Sequence, residues 1–176
     1  DPKTAIKSNM CFITEDRQHT GLFLPHSIAF NAVIANYVNI KEIFIKPSDD
    51  IQRGNNSLQS LNIKAGDSRS IVKNLSGGNQ QKVVLAKWFN TQGEIFIFDE
   101  PTRGIDVGSK QEIYHLMVEL LKNGNAIIMV SSDMPEVISM SDRVVVMKQG
   151  EMVALLNKEE LSEENILVNS IGGKEI

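Results

Sequence analysis

The chain lacks most of what a membrane or secreted protein needs. No apolar run approaches the ~20 residues that a bilayer-spanning helix requires, and Asp1-Pro2-Lys3-Thr4-Ala5 has no apolar signal region. A single cysteine, Cys11, leaves no internal disulfide to form, which excludes a disulfide scaffold and fits a reducing compartment. A basic excess is missing too. Eighteen Lys and Arg against 22 Asp and Glu give a net charge of −4 and a pI near 5.4, so there is no global positive field to hold nucleic acid or an anionic membrane. No repeat or low-complexity tract interrupts the sequence. What is there is 176 residues, 41% hydrophobic and 23% charged, the material of about one globular domain with a real core. Composition alone predicts one soluble, cytosolic domain.

The apolar pattern organises the chain. Asp1 and Pro2 suit the cap and first position of a short helix. Cys11-Phe12-Ile13-Thr14 predicts a buried strand, ending in the polar turn Glu15 to Gly21. Helices are expected from about Ser27 to Tyr37 and from Pro47 to about Asn62, the latter weakened by Gly54-Asn55-Asn56. From residue 75 the signal sharpens: a helix from Gly78 to Phe89, the strand Ile95-Phe96-Ile97-Phe98, a helix from Lys110 to Lys122, and the strand Ala126 to Val130. Strands that are apolar on both faces suit a parallel sheet covered on both sides, and their alternation with helices is the α/β pattern. A hairpin around Gln149-Gly150 and a short helix from Ser162 complete the chain.

Two motifs carry chemistry. In Leu75-Ser76-Gly77-Gly78-Asn79-Gln80-Gln81-Lys82-Val83 a serine and two glycines stand where a loop becomes a helix. Glycines let a ligand approach the backbone, and the helix N-terminus favours an anion such as phosphate. Ser76 could cap the helix or donate to a phosphate oxygen, and a plain cap after a glycine turn produces the same pattern. One helix downstream, Ile95–Phe98 runs into Asp99-Glu100-Pro101-Thr102. Paired carboxylates at the carboxyl end of a buried strand lie where open α/β sheets place ligands. Such a pair can hold Mg²⁺ and orient an attacking water, or merely cap the next turn.

Together, Leu75–Val83, the strand into Asp99–Thr102, and Arg103-Gly104-Ile105-Asp106-Val107 resemble the ATP-binding-cassette (ABC) ATPases. Asn79-Gln80-Gln81-Lys82 and Thr102-Arg103-Gly104-Ile105-Asp106 narrow the resemblance to the second cassette of tandem-cassette bacterial sugar importers. Glu15-Asp16-Arg17 and Ser131-Ser132-Asp133 through Asp142-Arg143 extend it over most of the chain. The resemblance implies an α/β, P-loop NTPase-like parallel sheet with helices on both faces plus a small helical subdomain. The core would comprise residues 1–21 and 75–176, and residues 22–74 the subdomain that docks on a membrane permease. It implies ATP and Mg²⁺ as cofactors. Leu75, Ser76, Gly77, Gly78 and Gln80 would contact ATP bound to an opposing cassette. Asp99 would be the Mg²⁺-associated aspartate and Glu100 the catalytic glutamate. Gly104, Ile105 and Asp106 would form the loop between cassettes. Implied partners are permease subunits, a second cassette and a separate sugar-binding protein, with the protein peripheral on the cytoplasmic face of the bacterial inner membrane.

Three departures qualify the resemblance. No Gly-x-x-x-x-Gly-Lys-Ser/Thr run exists in these residues. In the family that loop lies upstream of where this chain starts, so the N-terminal P-loop portion is expected to be missing and the isolated chain to lack ATPase activity. The family's switch histidine falls at Ser132, and the glutamine that senses Mg²⁺ and the permease falls at Glu15. The expected function is the ATP-hydrolysing subunit of a carbohydrate importer. The alternative is a non-catalytic cassette that completes a partner's site through its signature loop. A DNA-repair ATPase also carries Ser-Gly-Gly, but neither coiled-coil heptads nor a basic stripe for DNA is present, so no nucleic-acid partner is expected. His19, His26 and His115 lack metal-ligand spacing, and Trp88 suits the core. Phe23-Leu24-Pro25 and Ile43-Phe44-Ile45 are apolar patches, either core or permease-facing. With its P-loop neighbour missing, Ile95–Phe98 is expected to present an unpaired, sticky edge.

Overall fold

The computed structural model describes residues 1–38 and 46–172, so Ile43-Phe44-Ile45 lies outside the described residues. The chain divides into two compact units, 1–130 and 131–176. The first opens with α1 (Pro2–Lys7), capped by the Asp1 side chain, and β1 (Met10–Ile13). A π-helical turn, Arg17–Gly21, leads into α2 (Ile28–Val33), a 3-10 turn (Ile34–Val38) and α3 (Pro47–Ser60). Then come α4 (Gly77–Phe89), β2 (Ile95–Asp99), α5 (Val107–Lys122) and β3 (Ala126–Val130).

The sheet is parallel, in the order β1-β2-β3. Sequential order with right-handed crossovers places both connecting helices on one face. The burial pattern agrees with this. Cys11 and Ile13, in register with Phe96 and Phe98, are buried, and Phe89 of α4 meets Phe96 edge-on with ring centroids 5.6 Å apart. Val83, Val84 and Leu85 of α4 and Ile113 of α5 are fully buried in the same core. The opposite face leaves Phe12, Ile128 and Val130 about half exposed.

β2 does not supply the sticky edge expected of Ile95–Phe98. It is the central strand, flanked by β1 and β3, which is why it is apolar on both sides. Among the described residues the edge strands of this sheet are β1 and β3, and they carry its exposed apolar residues Phe12, Ile128 and Val130.

Between β1 and α4 the described regular elements are all helical. Asn31 is fully buried: its Oδ1 accepts from the Phe23 N–H, and its Nδ2 donates to the Phe23 and Ser27 carbonyls. Gly54 does not break α3. A Cβ there would lie 2.8 Å from Ala29 Cα, so the glycine is what lets α3 close onto α2. Phe23 stays 53% exposed, edge-on to His26 and Phe30, whose rings stack.

In the second unit α6 (Met134–Met140) precedes the hairpin of β4 (Arg143–Lys148) and β5 (Glu151–Asn157), turned by Gln149 and Gly150 at positive φ. The last helix, α7 (Glu163–Ile171), is capped by Ser162. Val146, Leu156 and Ile166 form this unit's small core.

Candidate functional site

Ser76 is the N-cap of α4. Its hydroxyl accepts from the Asn79 backbone N–H at 3.5 Å and from Asn79 Nδ2 at 2.9 Å, the latter the better-made bond. The cap exposes the first-turn amides of a 13-residue helix at its positive end. The two glycines are crowded by this chain's own side chains. A Cβ on Gly77 would lie 2.8 Å from Arg17 Nη2, and one on Gly78 would lie 2.6 Å from Ser109 Cβ. Gly78 therefore lets the start of α5 seat on the start of α4. Leu75 closes a 3-10 turn by donating to the Val72 carbonyl.

Gln80, expected on the nucleotide face, is not there. It is 4% exposed, donates through Nε2 to the Val72 carbonyl at 3.3 Å and accepts from Gln18. Gln80 opens the stretch Gln80–Ala86 over which α4 is buried on every side. It anchors the turn before the loop rather than facing a ligand.

Asp99 and Glu100 end β2, half-buried, as placed from the sequence. Glu100 has φ +49, a left-handed conformation unusual for a residue with a side chain. Its N–H donates to the Val130 carbonyl at 2.9 Å, and its carbonyl accepts from Arg103 N–H at 3.2 Å. Strain of this kind concentrates at functional positions. The turn lifts Glu100 off the strand while Pro101 and Thr102 are buried beneath it.

The following loop is tied from two sides. Gly104 (φ +68) leads to Ile105, which is half-buried, and to Asp106. Asp106 caps α5: its carboxylate accepts from Ser109 N–H at 3.0 Å and Ser109 Oγ at 2.7 Å. These hydrogen bonds hold the Asp106 carboxyl below the usual carboxylate range. Arg17 Nη1 donates to the Arg103 carbonyl at 3.0 Å and Nη2 to the Gly104 carbonyl at 3.3 Å. Glu15 is ion-paired with Arg103, so its charge is matched within this loop cluster. Lys87, on α4, donates to the Gly21 carbonyl at 2.7 Å and lies 5.0 Å over the Trp88 ring; burial pushes its pKa down to about 8.

Ser132 is exposed, in the second unit, just before Asp133, the N-cap of α6. Beside it the Ser131 hydroxyl is hydrogen-bonded to the buried Glu136 carboxylate. Among the described residues no group of three or more His, Cys, Asp or Glu side chains could hold a metal. Asp99 and Glu100, adjacent at the end of β2, offer hard carboxylate oxygens of the kind Mg²⁺ takes beside water and phosphate oxygens.

A sequence profile described as ABC transporter matches residues 4–103, more than half of the chain. The chain belongs to the ABC transporter family. It is 44% identical over 174 residues to the ribose import ATP-binding protein RbsA of Bacillus cereus, covering 98% of this chain and 35% of that protein. It is 48% identical over 174 residues to the protein of the same name from Oceanobacillus iheyensis, with the same coverage. The chain thus spans about a third of the length of the curated relatives it matches. Its fold matches a solved ATP-binding cassette of an ABC transporter in the ADP conformation, with a TM-score of 0.76 at 19% identity, over 98% of this chain and 72% of that one. A nucleotide-free cassette matches at 0.75 and 18%, over 100% and 70%. These likenesses establish the P-loop NTPase-like cassette fold. No helix among the described residues is long and apolar enough to cross a membrane.

Arg17 and Lys87 escaped the sequence reading. Each acts on a partner far along the chain, 86 residues away for Arg17 and the Arg103 carbonyl and 66 for Lys87 and Gly21. No local pattern announces such contacts.

Proposed function

We propose that the intact protein carrying this chain is the ATP-hydrolysing subunit of a bacterial carbohydrate importer, with this chain as part of its second cassette. The observation that carries the reading is the 44–48% identity to ribose import ATP-binding proteins along nearly the whole chain. The site geometry supports it. Ser76 presents the N-terminus of α4 toward an anion, and its hydroxyl, serving Asn79 as acceptor, keeps its proton to donate to a phosphate oxygen. Leu75 to Gly78 would meet ATP held by an opposing cassette. Asp99 would hold Mg²⁺, which when bound neutralises phosphate charge, and Glu100 would orient the attacking water. Gly104, Ile105 and Asp106 would run between the cassettes.

Permease subunits, a second cassette and a separate sugar-binding protein complete the proposed assembly at the cytoplasmic face of the inner membrane. Residues 22–74 would dock on the permease, with exposed Phe23 part of an aromatic surface. Ser132 in place of the switch histidine favours a second reading, in which this cassette's own site is slow and its contribution is the signature loop in trans.

A single comparison in the intact protein tests both. Ser76→Arg fills the loop and is expected to abolish ATP turnover, whereas Glu100→Gln is expected to leave most of it. Abolition by Glu100→Gln with turnover intact in Ser76→Arg would sink the trans reading, turnover unaffected by either would sink the assignment of both residues to the site, and no turnover in wild type would sink the ATPase reading.

A further inference from the structure

The chemistry-bearing loops of this chain meet at one side chain that the functional reading leaves without a task. Arg17 leaves the π-helical turn after β1 and lies between the first turn of α4 and the loop after Glu100. Its two terminal nitrogens donate to consecutive carbonyls, Arg103 at 3.0 Å and Gly104 at 3.3 Å. A planar guanidinium making two such bonds fixes the orientation of the peptide between them, which a lysine ammonium cannot do. On the other side the same nitrogen, Nη2, lies against Gly77, where a Cβ would come within 2.8 Å of it, so a side chain there would push the guanidinium aside.

The electrostatics argue against a merely structural role. A cation set against the positive end of a helix destabilises that helix and draws anions to the same end. A second tie, the Glu15–Arg103 ion pair, joins the same two segments two residues earlier. Beyond the loop, Asp106 caps α5 and Ser109 rests on Gly78, closing a ring: Arg17, Gly104, Asp106, Ser109, Gly78 and back to Gly77.

We infer that Arg17 is a positioning residue that locks the signature loop at Ser76–Gly78 to the loop at Gly104–Asp106, so that the two present to an opposing cassette as one rigid unit. Its effect on turnover rests on the ATPase reading above; the lock itself does not.

The test compares wild type, Arg17→Ala and Arg17→Lys in the intact protein by peptide-level hydrogen exchange and by ATP turnover. The amides of Gln80, Arg103, Ser109 and Lys110 are hydrogen-bonded and report on the two segments. In Arg17→Ala, exchange is expected to quicken severalfold in peptides covering both 76–80 and 103–110. Turnover is expected to fall about tenfold in kcat, with KM for ATP within twofold and the melting temperature unchanged. Arg17→Lys keeps the charge without the fork and is expected to resemble Arg17→Ala. The lock is overturned if exchange quickens in one segment only or in neither, or if Arg17→Lys behaves as wild type. A parallel loss of melting temperature and activity makes Arg17 a plain structural residue and also overturns it. If wild type itself turns over no ATP, the ATPase reading fails, and the exchange data still decide the lock.

Discussion

At the scale of single residues, two side chains carry stress that solution measurements can read. Glu100 holds φ +49 at the end of β2. Of two substitutions that both remove the carboxylate, Glu100→Gly relieves this backbone and Glu100→Ala does not. The glycine variant is therefore expected to be the more stable, by about 1 kcal/mol in urea denaturation. Equal stabilities would mean the turn imposes no strain.

Lys87 is the second. Burial lowers its pKa from 10.5 to about 8, so the folded state binds its proton less tightly than the unfolded chain does. Folding stability from this group is accordingly lowest below pH 8 and rises as pH climbs from about 8 toward 10.5. The stability of wild type relative to Lys87→Met should increase by on the order of 2 kcal/mol between pH 7 and 10; a difference independent of pH would refute it. Tyr37 is pushed up to about 12 by burial and by its hydrogen bond to the Asp50 carboxylate, and opposes this trend only above pH 10. Of these features the sequence displayed the carboxylate pair after an apolar strand but not the strain, because φ at Glu100 is set by the Val130 carbonyl it reaches from the neighbouring strand.

At the scale of elements, the strongest local signals translated directly. Asp1 and Ser76 cap the helices that follow them, as a short polar acceptor before a helix favours, whereas α5 begins three residues before the expected Lys110 because Asp106, read as a loop residue, is its cap. Glycine misled, since its sequence context does not reveal what packs against it. Gly54 weakened the prediction of α3 on propensity, yet the helix runs through it unbroken. Gly54→Ala gains roughly 1 kcal/mol of helix propensity but drives a methyl to within 2.8 Å of Ala29 Cα, a backbone atom that cannot step aside. Overpacking of this kind costs about 1–3 kcal/mol, so the variant is expected to melt below wild type; a higher melting temperature would show that α2 and α3 separate freely. Gln80 came to the nucleotide face only by the resemblance; in the structure it is buried and hydrogen-bonded to the Val72 carbonyl.

At the scale of the whole molecule, family and fold were legible because Ser76–Gly78, Asp99–Glu100 and the segment Arg103–Asp106 are contiguous motifs in a fixed order. Strand adjacency was not, because nothing local to Ile95–Phe98 states which strands flank it. The consequence moves rather than disappears. Phe12, Ile128 and Val130 leave one sheet face apolar and open, and exposed patches on edge strands promote association. The isolated 176-residue chain is expected to self-associate, and Phe12→Ser with Ile128→Ser to reduce its mass in light scattering; an unchanged mass in the double variant would place the contact elsewhere. Finally, α5 is gripped at its first turn, where Asp106 caps it and Ser109 rests on Gly78, and it runs 16 residues, about 24 Å, from that grip. Buried Ile113, Met117 and Leu120 also seat it along its length, so α5 is a rod rather than a hinge: a shift of the loop at Gly104 would reach the core packing as far along as Leu120, not only the first turn.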